Sequence, residues 1–127
     1  MRTLATALLL LAAIANLLPV LGVLSTARLE GLYGVSIHDP NLAILMRHRA
    51  ALFAIVGGLL GVAAFHPPLR TFATAAGLVS MLSFVAIAGL TGDYNPQLRR
   101  VVLVDAIASL GLVAAALLDY FAATDAR

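Results

Sequence analysis

Four long apolar runs, separated by short proline- and glycine-rich punctuation, constrain this chain more than any other feature. They lie at about Thr3–Leu24, Pro40–Phe65, Pro68–Leu90 and Pro96–Phe121. Each is long enough to cross a hydrocarbon core about 30 Å thick as an α-helix. Backbone inside lipid must satisfy its own hydrogen bonds, and a run of continuous apolar character does so by coiling. Composition agrees, with 62% hydrophobic and 11% charged residues and a mean hydropathy of +1.03. A soluble domain has about 45–50% apolar and about 25% charged residues. The expectation is all-α: one antiparallel up-down four-helix transmembrane bundle over residues 1–127.

The ends of the runs carry local signals. The first opens Met-Arg like a secretory signal, but its apolar stretch continues for about 21 residues, which favours a retained span. Pro19 should kink it and free a carbonyl near Ala15 and Asn16. Ser25–Asp39 is half apolar and belongs at the interface, with Gly31 and Gly34 arguing against one regular helix. Asp39 followed by Pro40, and Asn95 followed by Pro96, read as N-caps with proline at the first helical position. His66-Pro67-Pro68 stops the second run and opens the third, so those two should be antiparallel neighbours. The tail Ala122–Arg127 is expected to fray.

Alternating spans place segments 25–39 and 91–96 at one pole, with the termini and the 66–68 turn at the other. Gly57 with Gly61, and Ala73 with Gly77, have the small-xxx-small spacing that lets helix backbones approach in lipid. Ser80, Ser83 and Ser109 can bond their own backbone or a neighbouring helix.

Every candidate chemical residue falls at the first pole. Asp105 lies within the apolar run Val101–Leu118, where a carboxylate costs at least roughly 2.5–3.5 kcal/mol and so calls for a partner or a role. Arg99 and Arg100 are displaced from it by about 240° and about 140° around the helix, so its counter-ion should come from the second span: Arg47 or Arg49, with His48 as a proton partner. Arg47 shares a stripe with Ala43, Ala51 and Ala54 and is expected to face inward. Arg49 lies with Leu45, Leu52 and Phe53 and is expected to face lipid. A helix-to-helix salt bridge, a ligand-handling or acid/base role, and a neutral carboxyl bonded to Ser or Asn all remain open for Asp105. The candidate ligand-binding set is Arg47, His48, Arg49, Arg100, Asp105, Asn16 and Tyr94, with Asp105 and His48 as candidate catalytic groups. Glu30, Tyr33, His38, Asp93 and Asn95 would cap a cavity mouth.

Other chemistries are excluded or unsupported. With no cysteine there is no disulfide, thiolate metal site or cysteine nucleophile. His38 and His48 are ten residues apart and no HxxxH or ExxH pair occurs, so no metal site and no cofactor are expected. GxGxxG, GxxxxGK[ST] and GxSxG are absent, and no basic run suggests nucleic acid. All eight basic residues are arginine, a bias typical of GC-rich bacterial genomes; with four spans, the expected location is the cell inner membrane.

The pattern LxGLYGVxxxDPNLxxLMRHRAxLF over Leu29–Phe53, with GxYNxxLRRVVxxD over Gly92–Asp105, resembles a family of small bacterial four-helix membrane proteins, and the layout is more loosely similar to DoxX-like proteins. The first resemblance covers nearly the whole chain but implies no established activity. Members are sometimes labelled phosphopantetheine adenylyltransferase. Such an enzyme resembles a soluble Rossmann-like α/β protein with a TxGH-type motif, and this chain has neither. DoxX likeness would imply an accessory membrane protein linked to quinone or thiol redox systems.

The leading functional expectation is a binding or accessory subunit. Its Arg/His/Asp pole would hold the head of a lipid, isoprenoid or quinone, with the tail between helices. The alternative is a small membrane enzyme using Asp105 or His48 as general acid/base with Arg47 as oxyanion partner. A third reading is a structural subunit forming a homo-oligomer or joining another membrane protein. Counting arginines, the polar pole has five (Arg28, Arg47, Arg49, Arg99, Arg100) and the other three (Arg2, Arg70, Arg127), which places the polar pole in the cytoplasm. Removing Arg47, Arg49 and Arg100 as interior residues erases that bias.

Overall fold

The computed structural model describes residues 1–125, and all regular structure among them is helical. Helix α1 (Arg2–Leu17) continues as tighter 3-10 turns over Leu18–Val23; α2 is Thr26–Tyr33 and α3 is Pro40–Phe65. A 3-10 turn at Pro67–Leu69 leads into α4 (Arg70–Thr91), and α5 is Pro96–Thr124. Four segments are long and apolar enough to cross a membrane: Arg2–Val23, Pro40–Phe65, Pro67–Thr91 and Pro96–Thr124.

The proline signals mark the helix starts correctly because caps are local chemistry. Asp39 accepts from the Asn41 N–H at 2.9 Å, and Asn95 Oδ1 accepts from the Leu98 N–H at 2.7 Å. As expected, no one regular helix covers 25–39: α2 ends at Gly34 with φ +64°, a conformation costly for other residues, although Gly31 sits inside α2. Two expectations are corrected. Pro19 tightens the chain into 3-10 turns instead of kinking one α-helix. The tail expected to fray from Ala122 is helical through Thr124, while Ala126 and Arg127 lie outside the described residues.

Helix α1 packs on α3 and α5, and α4 packs on α5 and α3. Small residues set the spacing. A side-chain carbon on Gly57 would lie 2.7 Å from Leu17 Cγ and 3.1 Å from the Ala13 carbonyl oxygen. One on Gly77 would lie 2.9 Å from Leu112 Cδ1. Gly61, paired with Gly57 by spacing, faces open space, as does Gly58. The main core gathers Leu9, Leu60, Met81, Leu112 and the buried alanines of α1, α3, α4 and α5. A second cluster, Leu29, Tyr33, Ile37 and Ala50, seats α2 against the bundle. Gly22 admits the Leu29 side chain at close range.

Large apolar side chains line the outside of all four spans, among them Leu11, Ile55, Val79 and Leu110 at 62%, 67%, 72% and 71% exposure. A soluble monomer rarely shows apolar patches beyond a few hundred Å²; lipid is the solvent that suits this surface.

Two sets of polar contacts tie the ends. At one, Asn95 Nδ2 donates to the Tyr33 and Gly34 carbonyl oxygens (2.9 and 3.1 Å), joining the segment before α5 to the end of α2. At the other, Arg70 donates through Nη1 to Asp119 Oδ1 (2.8 Å) and through Nη2 to Thr6 Oγ1 (2.6 Å) and the Ala64 carbonyl (2.7 Å), while its Nε reaches the Ala63 carbonyl (3.2 Å).

Candidate functional site

The loop pole contains a cavity of about 210 Å³ between the end of α1, α2 and the first turns of α5. Its α5 wall is the stripe Gln97, Arg100, Val101, Val104 and Asp105, spaced as one helical face. The other walls bring Ala15, Asn16, Leu18 and Pro19 from the first span, Gly31, Leu32 and Tyr33 from α2, and Phe53 from α3. Leu18 and Val104 also belong to the exposed apolar surface, at 60% and 43% exposure, so the cavity borders the lipid-facing flank.

Two polar side chains in this wall are almost wholly buried. Asn16 is 3% exposed and Tyr33 2%. Asn16 Nδ2 donates to the Ala12 carbonyl one turn back at 3.1 Å, leaving its Oδ1 free to accept. The Tyr33 hydroxyl has no hydrogen-bond partner among the described residues. Burial pushes the Tyr33 phenol above its ordinary 10; the Arg49 charge opposes that shift and the Asp105 charge adds to it. The phenol is therefore a neutral donor and acceptor at neutral pH. Glu30 Oε1 accepts from the Ile37 N–H at 2.6 Å, folding the segment after α2 over this pole.

Of the expected ligand-binding set, Asn16, Arg100 and Asp105 line this cavity; Arg47, His48, Arg49 and Tyr94 do not. Tyr33 was expected only at the mouth and is instead a buried wall residue. Gln97 was not foreseen, although it lies two turns before Asp105 on the same stripe.

The two arginines of α3 exchange their expected faces. Arg47 is exposed, as is His48, and Arg47 Nε donates to the Val23 carbonyl at 2.6 Å. Arg49 is half-buried, its guanidinium carbon 5.5, 5.1 and 4.7 Å from the ring centres of Tyr33, Phe53 and Phe84. The buried face of α3 runs through Ala50, Gly57, Leu60 and Ala64, and Arg49 is angularly nearer to it than Arg47. Aromatic bulk, read as a lipid-facing signal, serves here as a shelf for the cation. Arg49 and Asp105 both act electrostatically on Tyr33, yet they form no ion pair; among the described residues the only one is Arg70–Asp119. Ser109 donates to the Asp105 backbone carbonyl at 2.7 Å, and Ser83 to the Ser80 carbonyl at 3.0 Å, so both bond their own helices.

Polar side chains outside the candidate set also gather, at the opposite pole. The densest polar network, Arg70 with Thr6 and Asp119, is there. No group of His, Cys, Asp or Glu side chains among the described residues could hold a metal ion. The chain matches no family model, no curated protein and no solved structure.

Proposed function

We propose that this protein is a multi-pass inner-membrane subunit, folded as an antiparallel up-down bundle, that binds the polar head of a lipid-soluble molecule in the loop-pole cavity. The observation that carries this reading is the pairing of two nearly buried polar side chains, Tyr33 and Asn16, with an otherwise apolar wall. Among the described residues no fully buried side-chain polar atom lacks a partner, so the unpaired Tyr33 hydroxyl and Asn16 oxygen keep access to the cavity, where a ligand's hydroxyl, carbonyl or similar head group can bond them. A volume of about 210 Å³ suits a head and not a whole isoprenoid chain, so the tail runs out past Leu18 and Val104 along the bundle. Lipids, prenyl alcohols and quinones share that plan. The up-down arrangement is supported by the Asn95 tie between the loop segments and by the Arg70 network, which gathers the start of α1, the end of α3, the start of α4 and the end of α5.

Native mass spectrometry of gently extracted protein tests the reading. Wild type retains a lipophilic small molecule, and Tyr33→Phe together with Asn16→Leu loses it. Equal retention by the folded double variant refutes the proposal. An acid/base enzyme is the second reading, favoured by Tyr33 and Asp105 facing one cavity. It requires turnover of the retained molecule that disappears in folded Asp105→Asn.

A further inference from the structure

The chain treats its two deeply placed arginines in opposite ways. Arg70 uses four of its N–H groups on Asp119, Thr6, Ala63 and Ala64, out of five that a guanidinium carries. Arg49 makes no hydrogen bond or ion pair among the described residues. It lies sixteen residues before Phe65, about 24 Å by helix rise; with Phe65 at the far boundary of a hydrocarbon core about 30 Å thick and the helix upright, that is about 6 Å inside the loop-side boundary. An arginine at that depth without acceptors is expensive.

Its surroundings leave one direction open. Its guanidinium carbon lies over the rings of Tyr33, Phe53 and Phe84, and rings offer no oxygen acceptor in this role, so its N–H groups stay available to an anion. A cleft of about 320 Å³ opens beside it between α3 and α4, lined by Leu52, Val56, Ser80, Ser83 and Ile87 together with Arg49 and the two phenylalanines. Leu52 and Ile87 are 48% and 63% exposed, so the cleft opens on the outer surface, with Phe53 as the wall it shares with the loop-pole cavity. A planar fork held on aromatic rings matches two oxygens of a phosphate.

We propose that this α3–α4 cleft is a lateral binding site for an anionic phospholipid, whose phosphate is drawn down to Arg49 with the Ser80 hydroxyl beside it and whose acyl chains lie along Leu52, Val56 and Ile87. The site is separate from the loop-pole cavity and stands or falls without it.

The test is native mass spectrometry of the full chain in detergent, titrated with phosphatidylglycerol, phosphatidylcholine or inorganic phosphate. Wild type retains phosphatidylglycerol at least about tenfold better than phosphatidylcholine, the scale of a charge-assisted hydrogen-bond pair, and inorganic phosphate does not compete at millimolar levels. Arg49→Gln abolishes the preference, and Arg49→Lys, which keeps the charge and loses the fork, reduces it several-fold. Arg99→Gln removes the same charge from an exposed position and leaves the preference intact. If Arg49→Gln fails to fold, the Arg49→Lys result decides. A wild-type preference in either folded Arg49 variant overturns the proposal, as does displacement of the lipid by inorganic phosphate. Loss of phosphatidylglycerol in Tyr33→Phe would merge the two sites and overturn their separation.

Discussion

Arg70 Nη1 donates to Asp119 Oδ1 at 2.8 Å, joining the first turn of α4 to the last turns of α5. The same guanidinium caps α3, because Ala63 and Ala64 are among the terminal carbonyls that a helix leaves without internal partners. A cation at a helix C-terminus also complements its dipole. One side chain therefore joins three helices and, through Thr6, a fourth.

That geometry makes the two partners unequal. Arg70→Leu leaves the Asp119 carboxylate without its cation, while the Ala63 carbonyl still accepts from the His66 N–H and the Ala64 carbonyl from Thr6 Oγ1; losing four hydrogen bonds from one guanidinium should cost about 2–3 kcal/mol. Asp119→Leu leaves Arg70 three acceptors and removes a partner that is itself 29% exposed, so its cost should be smaller, about 1–2 kcal/mol. Thermal unfolding in detergent compares them; equal losses would show that the ion pair, and not the helix cap, carries the stability.

Gly31 separates stability from binding. It lies inside α2, lines the loop-pole cavity, and has nothing within 4 Å of an added side-chain carbon. Gly31→Ala should raise stability by about 0.5–1 kcal/mol, because glycine loses more backbone freedom on folding. Gly31→Phe should leave the protein folded while narrowing the cavity and reducing ligand retention. Unchanged retention in Gly31→Phe would place the ligand elsewhere.

Helix ends were legible in the sequence wherever the cause was local, as at Asp39-Pro40 and Asn95-Pro96. Asp105 was legible as an anomaly, and the cavity does contain it. What could not be read was which way Arg47 and Arg49 point, because the aromatic rings that receive Arg49 come from α2 and α4 as well as α3. Arg70 and Asp119 were missed for a similar reason: each sits near a helix end, where a lone charge is ordinarily solvated, and only the tertiary fold brings them together.

The glycines of α3 should respond to substitution according to what they face. Gly57→Ala sets a carbon against Leu17 and against the Ala13 backbone oxygen, which has little freedom to move; overpacking of that kind costs about 1–3 kcal/mol. Gly58→Ala, one residue away and open, should be neutral or stabilising. Parallel unfolding measurements check this, and a cost at Gly58 comparable to that at Gly57 would mean that another chain or a lipid occupies the open face.

The Tyr33 phenol should titrate above its ordinary 10. Burial raises its pKa first, Arg49 moderates the rise and Asp105 adds to it. Because the folded value exceeds the unfolded one, this group's contribution to stability is fully present below pH about 10. It is then lost as pH climbs through the higher folded value. Ultraviolet titration should show a late tyrosinate component that vanishes in Tyr33→Phe. A Tyr33→Phe difference titration with its midpoint at or below the ordinary 10 would contradict the burial.

Asn95 holds both halves of the loop pole, and its two ends can be tested apart. Its oxygen caps α5 by accepting from Leu98, while its amide nitrogen donates to the carbonyls of Tyr33 and Gly34. Asn95→Asp keeps the cap, and its charge suits the N-terminus of a helix. It loses both donors and sets a carboxylate against two carbonyl oxygens. Helix content should therefore stay constant, while amide exchange over residues 26–34 accelerates at least about tenfold and cavity retention falls. Asn95→Ala should lose the cap as well, at about 1 kcal/mol, and fray the first turn of α5. If Asn95→Asp left exchange over 26–34 as slow as in wild type, α2 would be held by Leu29 and Tyr33 packing alone, and the cavity would keep its shape without the tie.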